Sequence, residues 1–288
     1  MFDCAIIGTG PAGISAALNL KIHNKNFIWL GSKNLSDKVT KAERISNYPG
    51  FIDATGDELN RAFRDQIEKM GIEITEKMVN QIYVADNGFA LMAGADFFET
   101  KTIILTTGVT TVGMIDGETN FVGRGISYCA TCDGGLYKGK KIAVVCSNAR
   151  FEHEVKYLSE LADTVYYFPT LKNPSDIGGN VKMQSTRIAK VEGGLRVTDV
   201  LLTNGEKLDV DGVFCLRESI SMSALLPRLA MEDGHIAVDR RMATNLPGIF
   251  AAGDCTGRPY QYAKAVGEGN VAAHSAIEYL AEADKAMG

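Results

Sequence analysis

A glycine-rich segment close to the start of the chain, Gly8 to Gly13, narrows the choice of fold more than any other part of the sequence. It reads Gly-Thr-Gly-Pro-Ala-Gly and has the spacing G-x-G-x-x-G. The apolar run Phe2–Ile7 predicts a buried strand before it, and the apolar spacing of Ile14–Ile22 predicts a helix after it. In that context the glycines let the main chain approach a pyrophosphate, and the helix N-terminus offers free N–H groups. The segment therefore predicts a dinucleotide-binding α/β domain.

A pair of cysteines two residues apart, Cys129 and Cys132, is followed directly by Asp133. This spacing closes a small disulfide ring or holds two thiolates, and it suits thiol–disulfide exchange. The pair is also half of a zinc site, but zinc needs a second pair or histidines at ligand spacing, and the other cysteines and histidines are scattered. The pattern therefore favours a redox pair and no metal. The isolated cysteines are expected to be small core residues: Cys4, Cys146 and Cys215.

Length and composition limit the class of protein. The 288 residues leave room for two domains. The net charge of −5 provides no basic field for nucleic acid, and no apolar run approaches the roughly 18 residues of a membrane span. The first residues carry no basic region typical of a signal peptide. Six cysteines with one close pair are unlike a secreted disulfide framework, so a cytoplasmic protein is expected.

The first half of the chain continues the α/β pattern. A second strand, Phe27–Leu30, ends at Gly31-Ser32, where the dinucleotide fingerprint usually has an acid for the ribose. A helix is predicted over Gly56–Met70, followed by a β-meander over 72–105. Because no acid follows the second strand, the ribose of a bound nucleotide must be held differently.

A second βαβ-like unit begins at Lys140–Val145, continues with a helix over Phe151–Leu161 and returns in a strand over Thr164–Phe168. Its first turn, Cys146–Arg150, contains no glycine. The breaker residues of Lys172–Gly179 argue against a further crossover helix.

The remaining strands are predicted within 186–216, with a turn at Asn204-Gly205. A strand over 246–254 ends in Gly253-Asp254, and a last helix covers Ala263–Ala286. The small residues that begin this helix predict close packing on a flat surface.

Several motifs stand in the order found in the low-molecular-weight thioredoxin reductases, which the chain resembles over essentially its whole length. Besides the first glycine turn they are Asn47-Tyr48-Pro49-Gly50, Thr107-Gly108, Gly123-Arg124-Gly125, Cys129 to Gly134, and Phe250 to Asp254. The resemblance implies two Rossmann-like, three-layer ββα domains, the second inserted into the first and degenerate. The FAD-binding domain would comprise 1–112 and 243–288, and the inserted redox domain 113–242. It also implies a homodimer.

The resemblance further implies site residues. The residues that would contact FAD are Gly8, Gly10, Pro11, Ala12, Gly13, Asn47, Thr107, Gly108, Gly253, Asp254 and Gln261. Among these, the glycine turn cradles the pyrophosphate, Asn47 and Gln261 approach the flavin ring, and Asp254 bonds the ribitol. In the redox domain Cys132 would face the flavin, Cys129 would attack the disulfide of thioredoxin, and Asp133 would manage the proton.

The departures from the family concern the NADPH site of the second domain. Its glycine turn is replaced by Cys146-Ser147-Asn148, its His-Arg-Arg cluster by Pro169-Thr170-Leu171, and a later glycine by a residue at or near Glu218. No cationic cluster remains for a phosphate. The chain thus resembles the ferredoxin-dependent flavin thioredoxin reductases of clostridia, and also a deeply rooted type whose electron donor is unclear. The expected donor is ferredoxin; the alternatives are NAD(P)H at an atypical site, a flavodoxin-like donor, or a flavin redox sensor without turnover.

Two smaller features stay open at this point. The lysines at 138, 140 and 141 either dock an acidic partner or form a solvated turn. Tyr260, which stands where the family has an arginine, and Tyr262 either stack on the flavin or pack in the ordinary way.

Overall fold

The computed structural model describes residues 1–109, 115–217 and 222–287. The chain forms two compact units, of which the first comprises Met1–Thr110 with Arg228–Gly288 and the second Thr111–Pro227. The strands are β1 Phe2–Ile7, β2 Phe27–Leu30, β3 Gln81–Ala85, β4 Gly88–Ala93, β5 Asp96–Leu105, β6 Ile126–Ser127, β7 Lys141–Cys146, β8 Thr164–Pro169, β9 Val181–Met183, β10 Ile188–Gly193, β11 Val197–Leu202, β12 Lys207–Asp209, β13 Gly212–Leu216, β14 Met231–Glu232, β15 His235–Ile236 and β16 Ile249–Ala251. The α-helices are α1 Pro11–Ile22, α2 Asp37–Thr40, α3 Gly56–Lys69, α4 Ala130–Asp133, α5 Glu152–Leu161, α6 Met222–Leu225 and α7 Tyr262–Met287. Short 3₁₀ helices cover Glu118–Phe121, Gly134–Tyr137, Ala149–Phe151 and Asp254–Thr256.

The first unit is built on one mixed sheet of order β2-β1-β5-β4-β3, with β16 also paired to β5. Strands β2, β1, β5 and β16 run parallel, and Ile104 of β5 lies opposite both Ile6 and Phe250. The first half of β5 instead pairs antiparallel with β4, so this one strand joins the parallel sheet to the predicted meander. Apolar side chains buried on both faces explain why the parallel strands form at this place.

Helices α1, α3 and α7 contribute to the core of this unit. Helix α3 begins with a capping box between Thr55 and Glu58 and buries Leu59, Phe63 and Ile67. Helix α7 packs closely on α1, because a Cβ atom at Gly269 would lie 2.1 Å from the carbonyl oxygen of Ala12. The small residues of α7 thus serve close packing as predicted, but their partner is another helix rather than a flat surface.

The two compact units divide after Pro227, whereas the sequence predicted the second domain boundary at 242. Residues 228–242 are hydrogen-bonded to the chain that follows them: the N–H of Ala230 donates to Asn245 Oδ1 at 2.8 Å, and Asn245 Nδ2 donates to the carbonyl of Arg228 at 2.9 Å. This segment therefore belongs to the first unit. The predicted first boundary, at 112, falls outside the described residues.

The second unit contains a five-stranded parallel sheet of order β6-β13-β7-β8-β9 and a separate antiparallel sheet of order β10-β11-β12. Strands β8 and β9 run parallel, yet the connection between them, 170–180, contains no helix. The absence of this crossover helix agrees with the prediction from the breaker residues. The α/β fold class and the two dinucleotide-binding-type domains are confirmed. In the described ranges, no helix is long and apolar enough to cross a membrane.

Candidate active site

The glycine turn of the first unit is shaped by close main-chain contacts. Gly8 has a φ of +112°, and a Cβ atom there would lie 2.3 Å from the carbonyl oxygen of Thr106. A Cβ atom at Gly13 would lie 2.1 Å from the carbonyl oxygen of Gly8. At Gly10 the same atom would meet nothing within 4 Å among the described residues. Gly8 and Gly13 are therefore required by packing, whereas Gly10 leaves space at the start of α1, where Pro11 is the first residue and no side chain caps the helix.

A second loop of this unit, Gly253–Gly257, is held by two side chains of α7. Lys264 Nζ donates to the carbonyls of Gly253 and Gly257, both at 2.8 Å, and to Thr256 Oγ1 at 3.0 Å. Glu268 accepts the N–H of Gly253 and the hydroxyl of Thr256, both at 2.8 Å. Lys264 and Glu268 thus fix the loop that carries Asp254, and no pattern in the sequence marks them.

Burial raises the pKa of Asp254 above its usual range, and the charge of Glu268 adds to this, while Lys38 and Lys264 act in the opposite direction. Burial thus destabilises the ionised form of Asp254. A ligand hydroxyl that donates a hydrogen bond to this carboxylate would stabilise the ionised form.

Two predicted ring contacts are brought together although they lie 214 residues apart. Asn47 Nδ2 donates to Gln261 Oε1 at 2.5 Å. Thr107, another residue predicted to contact FAD, has a buried Oγ1 with no hydrogen-bond partner in the described ranges. A buried hydroxyl without a partner is costly, so Thr107 fits a ligand that supplies one.

Tyr260, at the usual arginine position, is exposed and lies beside other side chains of the first unit. Its hydroxyl is 2.6 Å from His235 Nε2, and the guanidinium of Arg258 lies 5.2 Å from the centre of its ring. Tyr262 is half-buried, and its hydroxyl lies 3.5 Å from the carbonyl of Lys38. Stacking of either tyrosine on a flavin stays a prediction.

The cysteine pair lies in the second unit and forms a disulfide with a Cα–Cα distance of 5.3 Å. Cys129 precedes the short helix α4, and its Sγ accepts the N–H of Cys132 at 3.2 Å. Cys129 is 7% exposed, and Cys132 is half-buried. The other cysteines, at 4, 146, 215 and 255, are buried and free. The prediction that Cys4, Cys146 and Cys215 are core residues is confirmed.

Asp133 is held close to the pair by its neighbours in the fold. Ser127 Oγ donates to Asp133 Oδ2 at 2.6 Å, and the N–H of Cys129 donates to the same Ser127 Oγ at 3.2 Å. Burial raises the pKa of Glu154 of α5 above its ordinary value, although the hydrogen bond that it accepts from the N–H of Ala130 acts in the opposite direction. Ser127 and Glu154 are further residues of this site that the sequence analysis did not identify.

At the carboxyl ends of β7, β8 and β13, the second unit is held together by hydrogen bonds within its own chain. Ser147 and Thr170 donate main-chain hydrogen bonds to the carbonyls of Leu216 and Cys146, at 3.0 and 2.9 Å. Glu152, the first residue of α5, accepts the hydroxyl of Tyr167 at 3.0 Å. The replacement residues Cys146-Ser147-Asn148 and Pro169-Thr170-Leu171 therefore hold strands and connection together. Glu218 lies outside the described residues.

The connection between β8 and β9 is fastened to the start of α5 by the same carboxylate. Glu152 accepts the N–H of Ser175 at 2.7 Å and its hydroxyl at 2.8 Å. Leu171 and Ile177, on either side of Ser175, pack against the core of the unit. Burial alone would raise the pKa of Glu152, but the hydrogen bonds from Ser175 and Tyr167 keep it below its ordinary value. A negative charge thus stands in the first turn of α5, where it is unfavourable to a second anion.

The lysines that follow the cysteine pair are exposed, and Lys140 Nζ lies 5.4 Å from the centre of the Tyr137 ring. This contact does not decide between docking and a solvated turn. The described residues contain no group of three or more histidine, cysteine or acidic side chains that could hold a metal ion.

A dinucleotide-type cradle in one unit and a redox-active cysteine pair in the other define a disulfide oxidoreductase of the two-domain α/β kind. Comparisons with known proteins agree with this class. The family described as pyridine nucleotide-disulphide oxidoreductase matches residues 2–147 and 177–269. The unmatched segment between these ranges, 148–176, contains α5, β8 and the first part of the connection to β9, including Ser175.

Individual relatives narrow the family. The thioredoxin reductase of Treponema pallidum is 32% identical, with 97% of each chain covered. Among solved structures, the ferredoxin-flavin thioredoxin reductase of Clostridium acetobutylicum is 44% identical, with 98% of each chain covered and a TM-score of 0.84. A thioredoxin reductase from Gloeobacter violaceus is 28% identical, with 98% of this chain and 94% of the other covered and a TM-score of 0.74. The chain therefore belongs to the thioredoxin reductase family, as its motifs predicted.

Proposed function

We propose that this protein is a flavin-dependent thioredoxin reductase that receives its electrons from reduced ferredoxin and not from NADPH. Family membership supports the reductase activity, and the relative from Clostridium acetobutylicum, whose name includes ferredoxin and flavin, supports the donor. The proposed catalytic residues are Cys129, Cys132 and Asp133.

The observation that carries the choice of donor is the closed edge of the second unit. A pyridine nucleotide needs main-chain N–H groups at the start of a helix and room for its pyrophosphate. At the start of α5 stands the charged Glu152, fastened to Ser175 and Tyr167 by three hydrogen bonds. Displacing it would expose the core packing of Leu171 and Ile177 and would bring phosphate against a carboxylate. These costs oppose the binding of NADPH.

The residues of the first unit fit FAD. Gly10 leaves space at an uncapped helix N-terminus, Thr107 has a buried hydroxyl without a partner, and Asp254 is a carboxylate with a raised pKa. The proposed set is the one predicted from the motifs: Gly8, Gly10, Pro11, Ala12, Gly13, Asn47, Thr107, Gly108, Gly253, Asp254 and Gln261. When bound, FAD supplies the chemistry that converts single electrons into the electron pair a disulfide requires.

The cysteine pair carries out the exchange with thioredoxin. In the reduced pair, the Cys129 thiolate attacks one sulfur of the thioredoxin disulfide, and the other sulfur leaves as a thiolate. Cys132 then attacks the Cys129 sulfur and releases the second thioredoxin thiolate. Two electrons and two protons have moved to thioredoxin, and the disulfide between Cys129 and Cys132 has formed. In each of the two steps Asp133, held by Ser127 at 2.6 Å, takes the proton that the attacking cysteine loses and passes it to the thioredoxin thiolate that leaves.

The direction of transfer is favourable. A plant-type ferredoxin lies near about −400 mV and thioredoxin near about −270 mV. The gap of about 130 mV for two electrons amounts to roughly 6 kcal/mol downhill. Two reduced ferredoxins, each giving one electron, thus drive the reduction of one disulfide.

A homodimer and a cytoplasmic location complete the proposal. The resemblance of the motifs to the family supports the dimer, and the pattern of one close cysteine pair among six cysteines supports a reducing compartment.

Replacing both cysteines tests the reductase activity. The Cys129→Ser/Cys132→Ser protein should accept electrons from reduced ferredoxin, seen as loss of the flavin absorbance band, and should reduce no thioredoxin. Continued reduction of thioredoxin by this variant would refute the assignment of the cysteines. The Cys146→Ser variant, which changes a buried cysteine outside the pair, should retain both reactions and serves as the control.

A further inference from the structure

A buried ion pair of the second unit lies outside the residues assigned so far. Glu118 begins a short 3₁₀ helix, and Arg217 follows β13 directly. Arg217 Nη1 lies 2.9 and 3.1 Å from the two carboxylate oxygens of Glu118, and the side chains of Arg217 and Glu118 are 6% and 1% exposed. A buried ion pair is weak evidence of stabilisation, because both charges lose their hydration. The other contacts of the pair therefore need an explanation.

Glu118 connects the ion pair to the residue that precedes the redox cysteines. It accepts the main-chain N–H of Ile115 and the hydroxyl of Tyr128, both at 2.9 Å. Tyr128 is itself buried. Burial and the nearby charge of Glu118 raise the pKa of Tyr128 far above its usual range, so the phenol keeps its proton and donates at every relevant pH.

Tyr128 directly precedes Cys129, whose sulfur is proposed to attack the disulfide of thioredoxin. The N–H of Cys129 donates to Ser127 Oγ, and Cys129 Sγ accepts the N–H of Cys132 at 3.2 Å. Among the described residues, strand β6, which leads to Tyr128, has only two residues, pairs with β13 in the five-stranded sheet and is bridged to Val122 through Ile126. The hydrogen bond from Tyr128 to Glu118 adds a side-chain restraint to this short strand, directly before Cys129.

We propose that Glu118 and Arg217 are positioning residues of the redox pair. They hold Tyr128, and through its main chain they keep Cys129 Sγ at the N–H of Cys132. A thiolate that accepts this hydrogen bond is stabilised relative to the thiol, which lowers its pKa and increases the fraction ready for exchange. The inference rests on the proposed function in one respect, namely that the pair is reduced during turnover.

The test measures the pKa of Cys129 in the Cys132→Ser background. Alkylation by iodoacetamide is followed against pH, and peptide mass spectrometry identifies the modified cysteine. The four remaining cysteines are buried to a similar or greater degree than Cys129, so the profile is taken from the Cys129 peptide alone. Adding Tyr128→Phe should raise the apparent pKa of Cys129 by about one unit, a tenfold loss of thiolate stability of the size of one hydrogen bond.

The matched control is Tyr167→Phe in the same background. Tyr167 is also a buried tyrosine of the second unit whose hydroxyl donates to a glutamate, at 3.0 Å, but it does not adjoin the cysteine pair. This variant should leave the pKa of Cys129 unchanged. Equal profiles for the two tyrosine variants would overturn the proposal.

A second variant tests the ion pair itself. Glu118→Met/Arg217→Met removes both charges together and leaves neither one unpaired. If circular dichroism shows a folded protein, the pKa of Cys129 should rise as far as in Tyr128→Phe; an unchanged pKa would contradict the role of the pair. If the double variant does not fold, the tyrosine comparison decides. Neither assay uses thioredoxin, ferredoxin or flavin turnover, so a failure here is distinguishable from a failure of the proposed function.

Discussion

Lys264 offers a direct way to test how the first unit holds a cofactor. Replacing it with Met removes three hydrogen bonds, at 2.8, 2.8 and 3.0 Å, from the loop that carries Asp254, and it also removes the ion pair with Glu268 at 3.0 Å. The two side chains are 17% and 20% exposed, so water replaces these bonds only in part. The loop should lose its fixed conformation, and FAD would then have to order it on binding.

The magnitude follows from these contacts. A hydrogen bond to a charged group contributes about 1.5–3 kcal/mol net. If about 2 kcal/mol of ordering free energy must be supplied by FAD, its affinity falls about 30-fold, since about 1.4 kcal/mol corresponds to a factor of ten.

The assay titrates FAD into flavin-free protein and follows quenching of flavin fluorescence. Lys285→Met is the matched control, because Lys285 is an exposed lysine near the end of the same helix. Circular dichroism at the temperature of the titration confirms that both variants are folded. Equal FAD affinities for Lys264→Met, Lys285→Met and the unchanged protein would refute the argument that this lysine orders the loop.

Three further experiments test the glycine turn, the buried ion pair and the carboxylate of Glu152. Gly10→Ala should leave the melting temperature of the flavin-free protein unchanged and weaken FAD binding at least about tenfold. Gly8→Ala should instead lower that melting temperature, because its Cβ atom would lie 2.3 Å from the carbonyl oxygen of Thr106. An unchanged FAD affinity in Gly10→Ala would contradict the assignment of this turn to the pyrophosphate. Glu118→Gln leaves Arg217 buried beside a neutral amide and should lower the free energy of unfolding in urea by about 3–5 kcal/mol. Arg241→Gln, which breaks an exposed ion pair with Glu278, should lower it by less than about 1 kcal/mol. Similar losses of stability in the two variants would show that the effect does not depend on burial of the ion pair. Because the pKa of Glu152 lies below its ordinary value of 4.5, its carboxylate stabilises the fold above that pH, and the stabilisation is lost as the pH falls through the lowered pKa. Thermal unfolding should therefore show Glu152→Gln less stable than the unchanged protein at about pH 7, with a difference that shrinks as the pH falls below 4.5; a difference independent of pH would count against the carboxylate.

The sequence predicted those parts of the fold and site that depend on short-range pattern. Strand β1, the turn from Gly8 and helix α1 follow each other within about twenty residues, and the apolar spacing and the glycines alone specify them. The cysteine pair is likewise read from neighbouring residues. The missing crossover helix after β8 was visible in its breaker residues, because proline and glycine act locally.

The parts that were missed depend on contacts between distant residues. Glu118 and Arg217 are 99 residues apart, and each by itself is typical of an exposed charged residue. Lys264 and Glu268 have the i, i+4 spacing of a solvated helix pair, and only the fold shows that a loop lies against them. Residues 228–242 carry no change of composition that marks a boundary, and their hydrogen bonds to Asn245 assign them to the first unit.

The identity of the electron donor is tested most directly by the flavin absorbance of the purified, FAD-loaded protein under anaerobic conditions. NADPH in excess should leave the flavin band unchanged, because Glu152, Ser175 and Tyr167 close the edge at which a pyridine nucleotide would bind. Reduced ferredoxin should bleach the band, and oxidised thioredoxin added afterwards should restore it. Rapid bleaching by NADPH, or no bleaching by ferredoxin, would contradict the account.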